Sequence, residues 1–399
     1  MPYTPQFSYF ISSLETPVSP NSSLWRQPLP LSRHFSGENA AISMRQGEYF
    51  QTLRTFLEND GCEIICRALT RRLQQNVKPQ DIREICICLE KHGEFYHPAR
   101  IDVLARDQKV SFVLNVAVSE TGIETIKKEY YCLTKLNDEF SSCFLPEVCG
   151  FGEVTSRGDR KIRMFLGHWF EGYNEFHISR DPSDKRKKIL VWDDIRSRFY
   201  LSLEQSADLY RQAAKILTYY YNVESFEQIF SWHHGAGDFV VNIDNGDLDV
   251  KLVSARGYAP LFTNSTHLKN GEKDIELILQ ALLIFFLNLT VRMRLDRYDG
   301  VGDIVWAEGP AVQGTVAGFF DGLALKPSVA SMPDSLDKCF RYYLSVCTEE
   351  DLYELSNAAV KTFHRRAPEV RVIKQNLKAH VEALNRIIRQ VCCRSLKSV

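Results

Sequence analysis

The chain has 399 residues, 44% of them hydrophobic and 12% aromatic, and a formal net charge of −1 at pH 7. A length of this order buries a large core and favours two lobes over one, and the near-neutral charge supplies no general attraction to nucleic acid or to a membrane surface. Eleven cysteines, with Cys62/Cys66, Cys86/Cys88 and Cys392/Cys393 as their close spacings, fit neither a paired zinc pattern nor a secreted disulfide framework, so reduced thiols and a cytoplasmic location are expected.

Residues 1–45 carry several Pro and Ser and no sustained period, and read as a mobile extension. No basic stretch followed by a continuous apolar run opens the chain, so no secretory signal is expected. A helical preamble over 46–79 follows from the spacing of Phe50, Leu53, Phe56, Leu57, Ile64, Ile65 and Leu69, with a break at Asn59-Asp60-Gly61. The period then changes to two. Ile82–Leu89, Ile101–Ala105 and Val110–Val118 read as three consecutive antiparallel strands. A helix is predicted over Ile123–Leu136, where Ile126, Tyr130 and Leu133 share a face. Strand character returns at Phe151–Val154 and Lys161–Phe170 and stops at Glu171-Gly172.

The remainder reads as mostly helical. Leu203–Tyr221 is amphipathic, with Ser202 as N-cap, and further helices are predicted over Asp274–Arg294, Ser335–Val346, Glu349–His364 and Glu369–Val391. Ile275–Met293 is very apolar but is interrupted by Glu276, Gln280 and Asn288, which argues for a buried helix over a membrane span. The last helices are rich in Lys and Arg, including Lys374, Lys378, Arg386 and Arg389; without interleaved aromatic residues a solvated face is the simpler reading, and nucleic-acid binding is not expected.

One segment breaks the helical run. Phe239–Ile243 and Asp249–Ala255 are β-rich and flank Asp244-Asn245-Gly246-Asp247, whose Asn-Gly pair supplies the positive φ angles of a tight hairpin turn. His233, His234 and Asp238 stand at the mouth of this hairpin, with Gly235 and Gly237 allowing close backbone approach to a ligand.

The order of elements, together with three motifs, resembles the protein-kinase-like superfamily and within it the aminoglycoside and choline phosphotransferase branch, over roughly residues 80 to 345. Lys127-Lys-Glu129-Tyr-Tyr-Cys-Leu-Thr-Lys-Leu136 is similar to the helix that bridges the lobes, with Glu129 at its glutamate. Arg163-Met-Phe-Leu-Gly-His-Trp-Phe-Glu171-Gly172-Tyr173 is similar to the strand and hinge that hold adenine, and Gly237-Asp238-Phe-Val-Val241 to the end of the catalytic loop. The resemblance implies an α+β, two-lobed kinase-like fold: a small antiparallel β-rich N-lobe (80–172) and a larger helical C-lobe (173–346) carrying the hairpin; the basic helices read from composition (347–399) follow it. A ligand is expected in the cleft between such lobes.

The pattern departs from the family at several positions. Phe112–Val118 contains no lysine where one should contact phosphate, and Asn115 stands there; an amide hydrogen-bonds phosphate without neutralising it. The loop 91–98 has a single glycine. The catalytic aspartate of the family falls on His233, or near Ala236 with a shorter loop, and its second metal aspartate falls on Ser254 or on Asp249.

The candidates follow. Asp238 would hold Mg²⁺, or alternatively cap its own loop. His233 or His234 would act as general base, only one of the two facing the ligand. Asp249 is a second metal candidate, or a cross-strand partner on its face of the strand. Asn115, Glu129, Glu171, Tyr173 and Arg256 would line an ATP site, Arg256 through its planar fork of donors, with Lys109 or Arg100 as partners for Glu129. The function implied is ATP-dependent phosphoryl transfer to a small-molecule or protein hydroxyl, or, with these motifs degraded, a pseudokinase scaffold that binds a partner or nucleotide without turnover.

Overall fold

Alternation of apolar and polar residues through 82–117 builds the first sheet, because side chains of a strand leave opposite faces in turn. The computed structural model describes residues 4–11, 16–29, 44–90, 96–156, 158–192, 198–230, 232, 237–260, 275–361 and 367–395. They divide into two units, Met1–Glu171 and Gly172–Val399. The fold is mixed α+β, as the sequence implies.

The first unit runs β1 (Gln6–Ile11), α1 (Ser23–Arg26), α2 (Gln46–Leu73), β2 (Ile82–Leu89), β3 (Ala99–Ala105), β4 (Gln108–Ala117), α3 (Glu120–Glu139), β5 (Val148–Thr155) and β6 (Lys161–His168). Its strands form one sheet of order β1-β2-β3-β4-β6-β5. The expected antiparallel hairpins β2–β3–β4 form, with Ile87 opposite Ile101 and Ile101 opposite Phe112. α2 buries Tyr49, Phe50, Leu53 and Leu57 in one core with Ile85, Ile87, Ile101, Val103 and Phe112 of the sheet. It is thus part of the unit's core. Its helical path breaks at Asn59–Cys62, where Asp60, Gly61 and Cys62 take positive φ. Gly150 and Gly152 of β5 make room for it, since a β-carbon on either would lie 2.7 Å from Ile64 or Phe56.

Two expectations are corrected here. The stretch read as a mobile extension contains β1, which joins the sheet beside β2 with Ser8 opposite Cys86. Phe7, Tyr9 and Ile11 of that strand rest against the core. This pair is parallel, so the sheet is mixed and not purely antiparallel.

The second unit contains β7 (Phe176–Arg180), β8 (Lys187–Val191), β9 (Phe199–Tyr200), α4 (Leu203–Tyr220), β10 (Glu227–Ile229), β11 (Phe239–Asp244), β12 (Asp247–Leu252), β13 (Tyr258–Pro260), α5 (Ile275–Arg292), β14 (Leu295–Arg297), β15 (Ile304–Trp306), α6 (Gly309–Leu323), α7 (Leu336–Val346), α8 (Glu349–Val360) and α9 (Pro368–Ser395). Ser202 caps α4 as expected: its hydroxyl accepts from the Gln205 amide while Gln205 Oε1 accepts from the Ser202 amide. The helical expectation misses the three-stranded sheet β7-β8-β9 and the two-stranded sheets β10-β13 and β14-β15. These strands are too short, at two to five residues, to establish a period.

α5 is long and apolar enough to cross a membrane, yet 61% of it is buried inside the protein, as a core helix would be. α4 and α6 touch through their backbones. Gly314, Gly318 and Gly322 recur every four residues on α6, and a β-carbon on them would meet Ala207 O, Arg211 O and Thr218 Cβ of α4 at 2.1, 1.8 and 2.6 Å. Arg389, from the basic set on α9, donates to Ser345 O and Cys347 O at the end of α7, where a cation favours the exposed carbonyls.

Candidate functional site

The hairpin turns where the sequence places it. Asn245 and Gly246 have φ of 51° and 95°, the pair of positive angles a two-residue turn needs, and β11 pairs with β12 from Asp244 opposite Asp247 to Phe239 opposite Leu252. Asp238 lies one residue before β11, its carbonyl accepting from Val253. Its carboxylate is 1% exposed and is held from two sides by Arg256: Nη2 donates to Oδ1 at 2.6 Å and Nη1 to Oδ2 at 3.1 Å. Both residues are thus brought together, in an arrangement sequence reasoning did not foresee. The guanidinium, 24% exposed, matches the carboxylate as a fork.

Asp249 is engaged elsewhere. It stands on β12 opposite Asn242, 52% exposed, accepting from the Tyr173 hydroxyl at 2.5 Å and lying 3.1 Å from Lys251 Nζ. Burial first, and the Asp249 carboxylate second, raise the Tyr173 phenol above its ordinary value. Two predicted ligand residues, Tyr173 and Asp249, therefore meet, but as partners of each other.

The third group was not anticipated. Asn174 exchanges backbone hydrogen bonds with Val241 of β11, at 2.8 and 2.9 Å, which carries the 172–175 segment along the hairpin and brings Glu175 to its mouth. A β-carbon on Gly237, whose φ is +74°, would lie 3.2 Å from Glu175 Oε1; glycine is needed there for conformation and for space. On its other side Glu175 Oε2 is 3.9 Å from His177 Nε2, and His177 Nδ1 is 3.5 Å from Asp296 Oδ1. Asp296, 1% exposed, is aimed by the amides of Ile178 and Arg297, each at 2.6 Å. The His177 ring lies 5.0 Å from that of Trp192, the two planes tilted by 56°, and Gly300 abuts Nε2. Burial alone would push the imidazole down; the carboxylates of Asp296 and Glu175 outweigh it and leave it raised to about 9. The signal available in sequence was Asn-Glu-Phe-His following the hinge, but nothing there pointed to Asp296, which is distant in the chain.

The remaining candidates belong to the first unit. Asn115 is half-buried on β4, in register with Phe165 and, through it, Phe151, the rings on which Tyr130 of α3 packs. It therefore shares the α3 face of the sheet. Glu129 is 2% exposed. Arg100 lies 3.4 Å from Glu90 and 3.3 Å from Asp102, and Lys109 lies 2.9 Å from Asp102, so both cations proposed for Glu129 have carboxylates on their own sheet. Glu171 is exposed at the end of this unit.

His233, His234 and the loop 91–95 lie outside the described residues. Among the described residues no group of three His, Cys, Asp or Glu side chains is arranged to hold a metal ion. No protein-family model matches the chain, and no curated protein is significantly similar to it.

Proposed function

We propose that this chain is a kinase-like phosphotransferase of two lobes, the β-rich first unit and the helical second, using ATP to phosphorylate a small-molecule or protein hydroxyl. The observation that supports this reading is the convergence on Gly237–Asp238 of a guanidinium, Arg256, and two carboxylates, Asp238 and Glu175. Phosphoryl transfer demands little covalent chemistry from the protein. It needs positioning, charge neutralisation and a group to orient the acceptor. Arg256 offers a permanent positive charge with a fork suited to phosphate, in a chain whose β4 has Asn115 in the lysine's place. Mg²⁺, which takes oxygen ligands from carboxylate and phosphate, would meet Asp238 on exchange of an Arg256 hydrogen bond for the ion.

A second reading, the pseudokinase scaffold, is favoured by one specific feature: both oxygens of Asp238 are already taken by Arg256. The two readings separate experimentally. Thermal shift with ATP and Mg²⁺ measures binding, and ADP formation measures turnover, in the natural chain and in Asp238→Asn, which keeps the side chain's shape. Binding with turnover lost on substitution supports the transferase. Binding without turnover in the natural chain selects the nucleotide-binding scaffold, and absence of binding overturns the transferase and leaves only a scaffold that binds a partner.

A further inference from the structure

We propose that the outer edge of β5 is a docking site for an extended peptide alternating acidic and apolar residues, which adds to the first unit's sheet as a further strand. That sheet has two edges, β1 and β5. The chain itself meets β1, where the Val18 amide donates to the Tyr9 carbonyl at 2.7 Å. For β5 the one strand partner among the described residues is β6, paired from Val148 opposite Gly167 to Thr155 opposite Lys161. Alternate amides and carbonyls of an antiparallel edge strand point away from its neighbour, and those of β5 meet no other backbone among the described residues. Such edges are usually guarded by proline, a free charge or a bulge along their length. β5 has no proline, its one charged residue, Glu153, is held by Lys161 and Arg163, and its bulge is confined to Val148–Gly150.

The two helices that flank the strand select what it accepts. On one face α2 follows β5: Arg67 Nη2 comes within 3.5 Å of where a β-carbon on Gly150 would stand, and Arg71 Nη1 lies 3.3 Å from Glu147, one residue before the strand. Arg67 and Arg71 are 57% and 58% exposed, and their carboxylate neighbours, Glu63 at 3.9 Å and Glu147, are equally open to solvent. Surface pairs of this kind hold weakly, so both guanidiniums are available to an incoming carboxylate. On the opposite face Tyr130 of α3 packs on Phe151 of β5 with 5.2 Å between ring centres. Ile126, Leu133 and Leu136 form the buried line of α3, Tyr130 and Asn137 lie to its β5 side, where Asn137 donates to Pro146 O, and Tyr131 is rotated further the same way. Tyr131 is 57% exposed and lies 5.6 Å from Tyr130, extending an aromatic shelf past the strand. Successive side chains of an added strand would alternate between these faces. One set meets Arg67 and Arg71, which pair with carboxylates; the other meets the tyrosine shelf, which takes apolar groups. The backbone edge supplies affinity and the two faces supply the choice of sequence.

The test is fluorescence anisotropy of the full chain with a labelled, capped peptide that alternates Glu with Val and matches β5 in length. It is compared with a peptide of the same composition whose glutamates and valines are grouped in blocks, and with the alternating peptide N-methylated throughout. The alternating peptide is expected to bind, and N-methylation to weaken it by about tenfold or more, since several backbone hydrogen bonds are lost. Arg67→Glu combined with Arg71→Glu is expected to weaken binding about tenfold, and Tyr131→Ala about threefold; all three side chains are exposed, so these changes leave the fold in place. No binding of the alternating peptide, equal binding of the block peptide, or N-methylated or charge-reversed cases within about twofold of the reference overturns the proposal. Sedimentation of the peptide-free chain supplies the remaining outcome: a dimer that excludes the peptide assigns this edge to a second copy and overturns it as well.

Discussion

Arg256 grips Asp238 through both carboxylate oxygens, and the two residues lie at opposite ends of the β11–β12 hairpin. The pair therefore closes the base of the hairpin as the Asn245-Gly246 turn closes its tip. A buried carboxylate stripped of its partner retains its desolvation cost, so loss of one member is more damaging than loss of both. Arg256→Met is expected to destabilise the protein by about 3 kcal/mol, whereas Arg256→Met combined with Asp238→Leu should recover part of that loss. Urea titration of the two single variants and the double variant measures the coupling; additive losses would show that the pair contributes nothing as a pair.

His177 makes stability depend on pH in a defined direction. Its folded value, raised to about 9 against an ordinary 6.5, means that the folded protein holds a proton the unfolded chain has released between those values. The contribution is complete below about pH 6.5 and disappears as the pH rises through about 9. At 4% exposure the side chain is little screened, and the shift corresponds to at most on the order of 3 kcal/mol. Urea midpoints taken across this window are expected to fall more steeply for the natural chain than for His177→Gln; parallel curves would refute the linkage.

Residues whose structural demand is local were legible in the sequence, and those defined by a distant partner were not. Asn245-Gly246 announces its turn because few other pairs tolerate two positive φ angles, and Ser202 with Gln205 announces a helix start through bonds spanning three residues. The hydrophobic alternation of β2, β3 and β4 likewise needs only the strand itself. By contrast β1 is six residues inside a Pro- and Ser-rich stretch, and although Phe7, Tyr9 and Ile11 alternate, their role depends on pairing with residues near position 85. Asp238 was recognisable as an important acid, but its partner follows β12, and Glu175 is brought to the hairpin by the Asn174–Val241 pairing, between residues far apart in the chain.

Lys326 terminates α4 from outside it. Its side-chain nitrogen donates to the carbonyls of Tyr219 and Tyr221 and lies 5.8 Å from the Tyr219 ring, and burial lowers its pKa to about 7. Helix ends leave carbonyls without helical partners, and a donor there satisfies their hydrogen bonds. Lys326→Met keeps the aliphatic stem but strips the donors from these carbonyls. A loss of about 2 kcal/mol is expected, read as a lowered urea midpoint with an unchanged slope. Lys326→Arg, which retains donors but enlarges the head, should lose less; equal losses for both would assign the effect to packing.

The glycines of α6 set the sharpest steric prediction. At Gly318 a β-carbon would stand 1.8 Å from the Arg211 carbonyl oxygen, and the obstacle is helix backbone, which cannot rotate away as a side chain can. In an isolated helix alanine is favoured over glycine by about 1 kcal/mol, so propensity and packing make opposite predictions for Gly318→Ala. Packing should win, because relieving the overlap requires α6 to move off α4, opening voids along the length of a contact that also includes Gly314 and Gly322. The expected net cost is about 3 kcal/mol or more. Gly309→Ala, at the start of the same helix with open space around the added carbon, is expected to be neutral or slightly stabilising. Thermal denaturation of the two variants compares them directly, and a Gly318→Ala protein as stable as Gly309→Ala would mean that the close approach of α4 and α6 is wrong.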